Sequence, residues 1–458
     1  MDVIKIGLLP LYVKTYDDSL PQLRERLEAF YAKVAAKLED RGYRVVTHGF
    51  CRLEGEFQAA VDAFAAEGAQ CIVTLHMAYS PSLESVAALS GTKLPLVVLD
   101  TTETFDFGFE QSPEEILYNH GIHGVMDMCS LLLRRGKPYI VCAGHWEDER
   151  LFQKLDRAVS AAVAANAWSG MRVGRLGEPF AGMGDFLVED GKLQSDLGVQ
   201  VVQNDGAFQE YFHISGEEAD EEVAVWKAAY TLQGVEDDTL RTAAVNCLGL
   251  RRWMEAERLD ALTVNFLATS GSRYPTMMPF IELCRAMERG KGYAGEGDTL
   301  TAALVASLMR MEPATSFVEI FCPDWKGNRL FLSHMGEMNT ALAADRPLLT
   351  KVAFPYTDAH DPAVIKAAYR PGKAVYVNLT PSPTGYRLFL TEVEMVYGGS
   401  DAFVGDIRGW MQPGCDIARF LEAHSCVGAS HHSAVVYGDY REELELFGKL
   451  MGFEVVTL

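Results

Sequence analysis

CIVTLHMAYSPSLESVAALSGTKLPLVVLD, residues 71–100, decides the fold of the first third of this chain. It opens on a β-rich apolar run at 71–77, passes through a helical-period segment at 82–90 and closes on a second apolar run at 95–100. Short apolar runs alternating with helical segments make parallel strands joined by crossover helices. The same pattern continues outward, with strands predicted at 5–13, 43–49 and 138–145 and helices near 20–41, 55–67 and 114–135. The expected N-terminal domain, 1–170, is therefore α/β, a flavodoxin-like doubly wound parallel sheet. Ligands of such sheets bind beyond the carboxyl ends of the strands, which places His76, Tyr79, residues 101–103 and residues 145–148 along a cleft.

A second α/β domain, 171–314, is expected to begin with MRVGRLGEPFAGMGDF at 171–186, a strand running into a Gly-rich stretch. Further strands are predicted near 199–203 and 261–267, and helices near 218–231, 238–256, 277–290 and 299–311. From residue 315 the pattern changes to strands with hairpin signals, PDWKGN at 323–328 and PSPTGY at 381–386. A mainly β third domain, 315–458, follows.

Composition narrows the function classes. The formal charge is −22, from 41 Lys+Arg against 63 Asp+Glu, and this excess repels nucleic acid and anionic membrane surfaces. No apolar run reaches the roughly 20 residues needed to cross a bilayer, and the N-terminal stretch lacks a basic leader, so a cytoplasmic protein is expected. The nine cysteines are scattered, with even Cys415 and Cys426 too far apart for a Cys-x-x-Cys pair, and read as reduced thiols.

Three segments carry chemistry. GKGYAGEGD at 290–298 is a Gly-rich loop opening a helix, with Asp298 as N-cap. Glu296 in its middle would repel a phosphate, so the loop suits a cation. Glu319 interrupts the apolar run 316–322, where a charge is costly unless paired or metal-bound. If Cys322 opposes Arg329 across the hairpin, Glu319 faces Leu332 with His334 as diagonal neighbour, about 7–8 Å away, a gap a shared ion bridges. A slip of one residue would turn His334 to the other face. GASHHS at 428–433 sets His431 and His432 among small residues that leave room for a ligand. Carboxylates and imidazoles without thiolates suit octahedral Mn²⁺, Mg²⁺ or Co²⁺ better than structural zinc.

The runs GYAGEGDTLTAAL, TSFVEIF, LFLSHMGEMN and GASHHS, with LHMAYSP, NHGIHG and VCAGHWED nearer the N-terminus, together resemble the L-arabinose isomerase family in order and spacing over nearly the whole chain. That resemblance implies an aldose–ketose isomerase acting on a small sugar through an enediolate. It implies Mn²⁺, or Co²⁺ or Mg²⁺, held by Glu296, Glu319, His334 and His432, with Glu296 and Glu319 catalytic. Substrate contacts fall by resemblance on His431, His123, His120, Met183 and Phe266, with His123 reaching the site of a neighbouring subunit in a homotrimer or homohexamer with shared active sites. The alternatives are an isomerase or epimerase of a sulfonated or deoxy sugar, or a non-catalytic sugar-binding relative. The chain departs from the family where a Gln-containing loop is replaced by residues 7–12, where His120 stands for Gln, and where Phe266-Leu267-Ala268 replaces Phe-Glu-Asp. Reaction type thus transfers better than the identity of the sugar.

Overall fold

A computed structural model describes residues 3–271, 273–399 and 401–458 of the chain. The fold divides into two compact units, Met1–Asn166 with Glu442–Gly452, and Ala167–Arg441 with Phe453–Leu458.

The first unit is a five-stranded parallel sheet of β1 (Lys5–Leu11), β2 (Arg44–Thr47), β3 (Cys71–His76), β4 (Leu96–Asp100) and β5 (Tyr139–Ala143), in the order β2-β1-β3-β4-β5. β3 is buried along its whole length, as the unbroken apolar run requires. The expected helix over 114–135 is instead a 3₁₀ turn, a short helix Ile116–Asn119 and a helix Ile122–Arg134. The break serves packing: a Cβ on Gly124 would lie 2.4 Å from His76 Cδ2, and one on Gly121 would lie 2.5 Å from the His76 carbonyl oxygen. The two glycines of NHGIHG let the chain descend onto the end of β3. Burial drives the His76 imidazole down to about 3, so it is a neutral packing residue rather than part of a polar cleft.

The second unit begins with β6 (Arg172–Leu176) and β7 (Gln200–Gln203) and continues through a short β8 (Thr231–Gln233) to β9 (Ala261–Val264) and β10 (Gly292–Gly295). Four of these form a parallel sheet ordered β10-β9-β6-β7. Two sequence expectations are corrected here. The Gly-rich stretch at 290–298 carries a strand at its centre, β10, which pairs in parallel with β9, and the strand expected over 261–267 ends at Val264 and turns into a 3₁₀ helix, Phe266–Thr269.

The strands that follow are β11 (Thr315–Asp324), β12 (Arg329–Ser333), β13 (Leu348–Lys351), β14 (Ala363–Lys366), β15 (Gly372–Ser382), β16 (Gly385–Val396), β17 (Gly409–Pro413), β18 (His432–Tyr437) and β19 (Glu454–Thr457). Both predicted hairpins are present, with Asp324 opposite Arg329 and Ser382 opposite Gly385. The order β15-β18-β11-β12-β17-β16 closes into an antiparallel barrel through the β15–β16 pairing, with β19 added in parallel on β16. Val318, Leu330, Leu332, Tyr376, Phe389 and Val435 fill one face of this sheet as its core. β13, β14 and β8 make a separate three-stranded sheet.

Candidate functional site

Glu296 sits one residue past the carboxyl end of β10, where ligands of parallel sheets bind. Its φ is 61°, the left-handed region, which costs a side-chain-bearing residue on the order of 1–2 kcal/mol. Surrounding bonds fix that turn: Glu296 N–H donates to the Val264 carbonyl at 3.0 Å, Phe180 N–H donates to the Glu296 carbonyl at 2.9 Å, and Gly297 N–H donates to Thr263 Oγ1 at 3.0 Å. The flanking glycines have steric reasons. A Cβ on Gly297 would lie 2.5 Å from Pro179 Cα, and one on Gly295 would lie 2.9 Å from His334 Cε1 and 3.0 Å from its Nε2. Gly295→Ala is expected to push the His334 imidazole aside, and if the site holds a divalent ion its affinity should fall by about 10–100-fold, the usual cost of disturbing what orients a ligand. Titration calorimetry on the folded variant checks this, and unchanged affinity would contradict it.

The barrel supplies the other side. Glu319 lies on β11 directly opposite His432 on β18 and Ser333 on β12. The hairpin register is not the one expected: Cys322 faces Phe331 rather than Arg329, and an irregularity between Ile320 and Cys322 inserts one extra residue, Phe321. The extra residue moves the hairpin partner of Glu319 from Leu332 to Ser333, while on its other side Glu319 pairs with an imidazole 113 positions away in sequence, His432. His334 still arrives, from just beyond the end of β12, with Nε2 3.6 Å from Glu319 Oε2. Phe317 lies under both imidazoles, its centroid 4.9 Å from His334 and 5.0 Å from His432, edge to face.

Carboxylates orient each ring through Nδ1. His334 Nδ1 is 2.6 Å from Glu337 Oε2, which also accepts from Gly336 N–H, while Tyr293 OH donates to Glu337 Oε1 at 2.6 Å. His432 Nδ1 is 3.0 Å from Asp298 Oδ2, whose other oxygen caps the helix Thr299–Met311 through Thr301 N–H. His431 Nδ1 is 2.6 Å from Asp185 Oδ2. Nε2 of His431 and of His432 each approach Glu296 Oε2 to 3.7 Å.

These contacts shape the charges. Burial alone would lower His334, but Glu337, Glu319 and Glu296 outweigh it and raise the imidazole to about 9. Burial would raise Glu296, yet His431, His432 and His334 bring it below the usual carboxylate range. His431 rises to about 9, burial being overcome by Glu296 and Asp185.

The donors fit a divalent cation. Glu296, His431 and His432 form one group, and Glu319, His334 and His432 another, each with ligand atoms within 4.8 Å of one another. His432 belongs to both, and its buried Nε2 has no hydrogen-bond partner among the described residues. A polar atom fully removed from water and left unpaired is costly, and an ion between the two groups satisfies it.

The structure thus gathers Glu296, Glu319, His334, His431 and His432 in the second unit. Met183 lies on the same unit's 178–188 segment, its N–H bonded to the Phe180 carbonyl at 3.2 Å. Phe266 follows β9, 5.5 Å from the Phe180 ring. His120 and His123 belong to the first unit, where His120 Nε2 is 3.0 Å from Tyr16 OH and His123 is exposed. Sequence reading missed Asp185, Glu337, Phe186 and Phe317 and saw Asp298 only as a cap. The spacing of His334 and Glu337 was a usable signal, whereas Asp185 lies 246 positions from His431 and gave none.

Comparison with known proteins agrees with this geometry. The L-arabinose isomerase central domain matches residues 190–314 and the L-arabinose isomerase C-terminal domain matches residues 314–454. The L-arabinose isomerase of Aeromonas hydrophila is 28% identical over 399 residues, covering 83% of this chain and 79% of that protein. Those of Erwinia tasmaniensis and Geobacillus kaustophilus are 27% and 25% identical, covering 84% and 88% of this chain and 80% and 83% of theirs. The chain belongs to the L-arabinose isomerase family, as a divergent member.

Proposed function

We propose that this chain interconverts a small aldose and its ketose using a divalent ion, Mn²⁺ first and Co²⁺ or Mg²⁺ next, held by Glu296, Glu319, His334 and His432. The observation that carries the reading is the convergence of two donor groups on the buried Nε2 of His432, which has no hydrogen-bond partner among the described residues. Such an ion, when bound, supplies the positive charge that polarises the carbonyl and hydroxyl of an open-chain sugar. The chain's own carboxylates move the protons. One takes the C2 proton of the aldose as a C1=C2 double bond forms and the carbonyl oxygen gains a proton. The enediol so formed collapses when C1 is protonated and the O2 proton leaves, making the C2 carbonyl. Glu296 and Glu319 divide these carbon-bound and oxygen-bound transfers, and His431 contacts a sugar hydroxyl.

The relatives are named for L-arabinose, but the rim near Glu296 is aromatic here: Phe180, Phe266, Phe354 and Tyr356 form a chain of ring contacts at 5.1–6.1 Å. Among modified sugars this favours a deoxy over a sulfonated aldose. Screening neutral, deoxy and sulfonated aldoses for ketose formation by the Mn²⁺-loaded protein is expected to find turnover in the first two classes. Sugar binding without ketose would mark a non-catalytic relative.

We further propose a homotrimer or homohexamer in which the first unit of one subunit completes the site of another. Exposed apolar surface supports this: Phe105, Phe107 and Phe109, in the loop after β4, are 78%, 51% and 108% exposed. Co-expressing the inactive variants His123→Ala and Glu296→Gln is expected to restore activity in hybrids. Mixtures as inactive as their parents would exclude a shared site.

A further inference from the structure

Residues 178–188 form an irregular strap between β6 and the helix Asp190–Leu197, and two consecutive side chains of it grip the two adjacent histidines. Phe186 is buried and stacks on His432, centroids 5.2 Å apart at 13° between planes, with His431 at 5.7 Å. Asp185 Oδ2 accepts twice from His431, from its backbone N–H at 2.9 Å and from ring Nδ1 at 2.6 Å. A carboxylate only accepts, so Nδ1 carries a proton and the ring has one orientation. Nε2 then faces Glu296 Oε2. The strap is itself fixed to the site, because Phe180 N–H donates to the Glu296 carbonyl. Of the three carboxylate–imidazole pairs, those of His334 and His432 are buried, whereas Asp185 comes from the surface strap and its side chain is 38% exposed.

We infer that Asp185 is a positioning residue that acts through His431, fixing the imidazole so that Nε2 meets the sugar oxygens beside Glu296. This rests on the isomerase reading above. Asp185→Ala is expected to lower kcat/KM on the best aldose by about 10–100-fold, the range for groups that orient functional histidines. Mn²⁺ affinity should stay within about 2-fold, because His432 and His334 keep their own carboxylates. Asp185→Asn, whose amide oxygen accepts the same two bonds, should recover most of the loss. In a His431→Gln background Asp185→Ala should cost less than about 2-fold, since a residue acting only through another loses its effect when that other is gone. A merely structural strap would show equal losses in both backgrounds, and that result overturns the inference. A second readout needs no turnover. The downfield ring N–H proton resonance of His431, assigned by its loss in His431→Gln, should persist in Asp185→Asn and vanish in Asp185→Ala, read in metal-free protein. Its survival in Asp185→Ala overturns the inference. Failure of every aldose with the unaltered protein would instead sink the isomerase reading while leaving this pairing measurable. Should Asp185→Ala lower Tm, Asp185→Ser carries the same comparison.

Discussion

Glu319→Gln and Glu296→Gln are each expected to lower kcat by about 10²–10⁴-fold in protein that still folds, because each removes a proton-transfer group. The substitution keeps shape and volume, so the effect isolates charge. Glu319 is held in a strand between β12 and β18 by backbone pairing that does not involve its side chain. Glu296 is held in its left-handed turn by backbone bonds to Val264 and Phe180 that glutamine preserves. Circular dichroism should therefore change little, whereas initial rates on the best aldose should collapse. Measuring Mn²⁺ affinity in the same variants separates loss of the ion from loss of the proton acceptor. A folded variant with half the original rate would remove that residue from the chemistry.

Chelation is expected to abolish activity, and Mn²⁺ or Co²⁺ to restore it, since a set of carboxylates and imidazoles suits such ions. The metal-free protein should melt lower; at free ion 100 times Kd, the mass-action stabilisation is about 2.7 kcal/mol. The pH dependence has a definite sign. His334 is raised to about 9, with burial opposing and Glu337, Glu319 and Glu296 prevailing. Its contribution to metal-free stability is present below the ordinary imidazole value of about 6.5 and is lost as pH rises through about 9. Metal-free Tm should thus fall between pH 6.5 and 9.5. An ion replacing the Nε2 proton removes the His334 part of that dependence, so loaded protein should show a smaller fall, the part left to His431, and Mn²⁺ affinity should rise with pH over the same window. Scanning calorimetry with and without Mn²⁺ decides; parallel pH profiles would contradict the assignment of His334.

Much of the fold was legible because local patterning set it. The fully buried run at 71–76 reads as a parallel strand in sequence and is one. The turn chemistry of PDWKGN and PSPTGY marked both hairpins correctly. What failed was register. The extra residue at Phe321 leaves no mark in the residue pattern, so the hairpin partner of Glu319 is read as Leu332 where the fold pairs it with Ser333, and the pairing with His432 on β18 is set only by the fold. The strand β10 was hidden for a related reason: glycines needed for close approach to His334 and to the helix behind it look like a loop. Carboxylates of the candidate site were visible where they broke an apolar run, as Glu319 does. Asp185 was invisible because nothing in its own surroundings is unusual for a polar loop, and only folding brings it to His431.

On the proposed function, one divalent ion sits among Glu296, Glu319, His334 and His432. Crystals grown with Mn²⁺ and measured at its absorption edge test this most directly. The expected result is a single anomalous peak per chain, bonded to one oxygen or more of each carboxylate and to Nε2 of His334 and His432, with His431 still on Asp185. A peak bound elsewhere, or none at saturating Mn²⁺, would contradict the account.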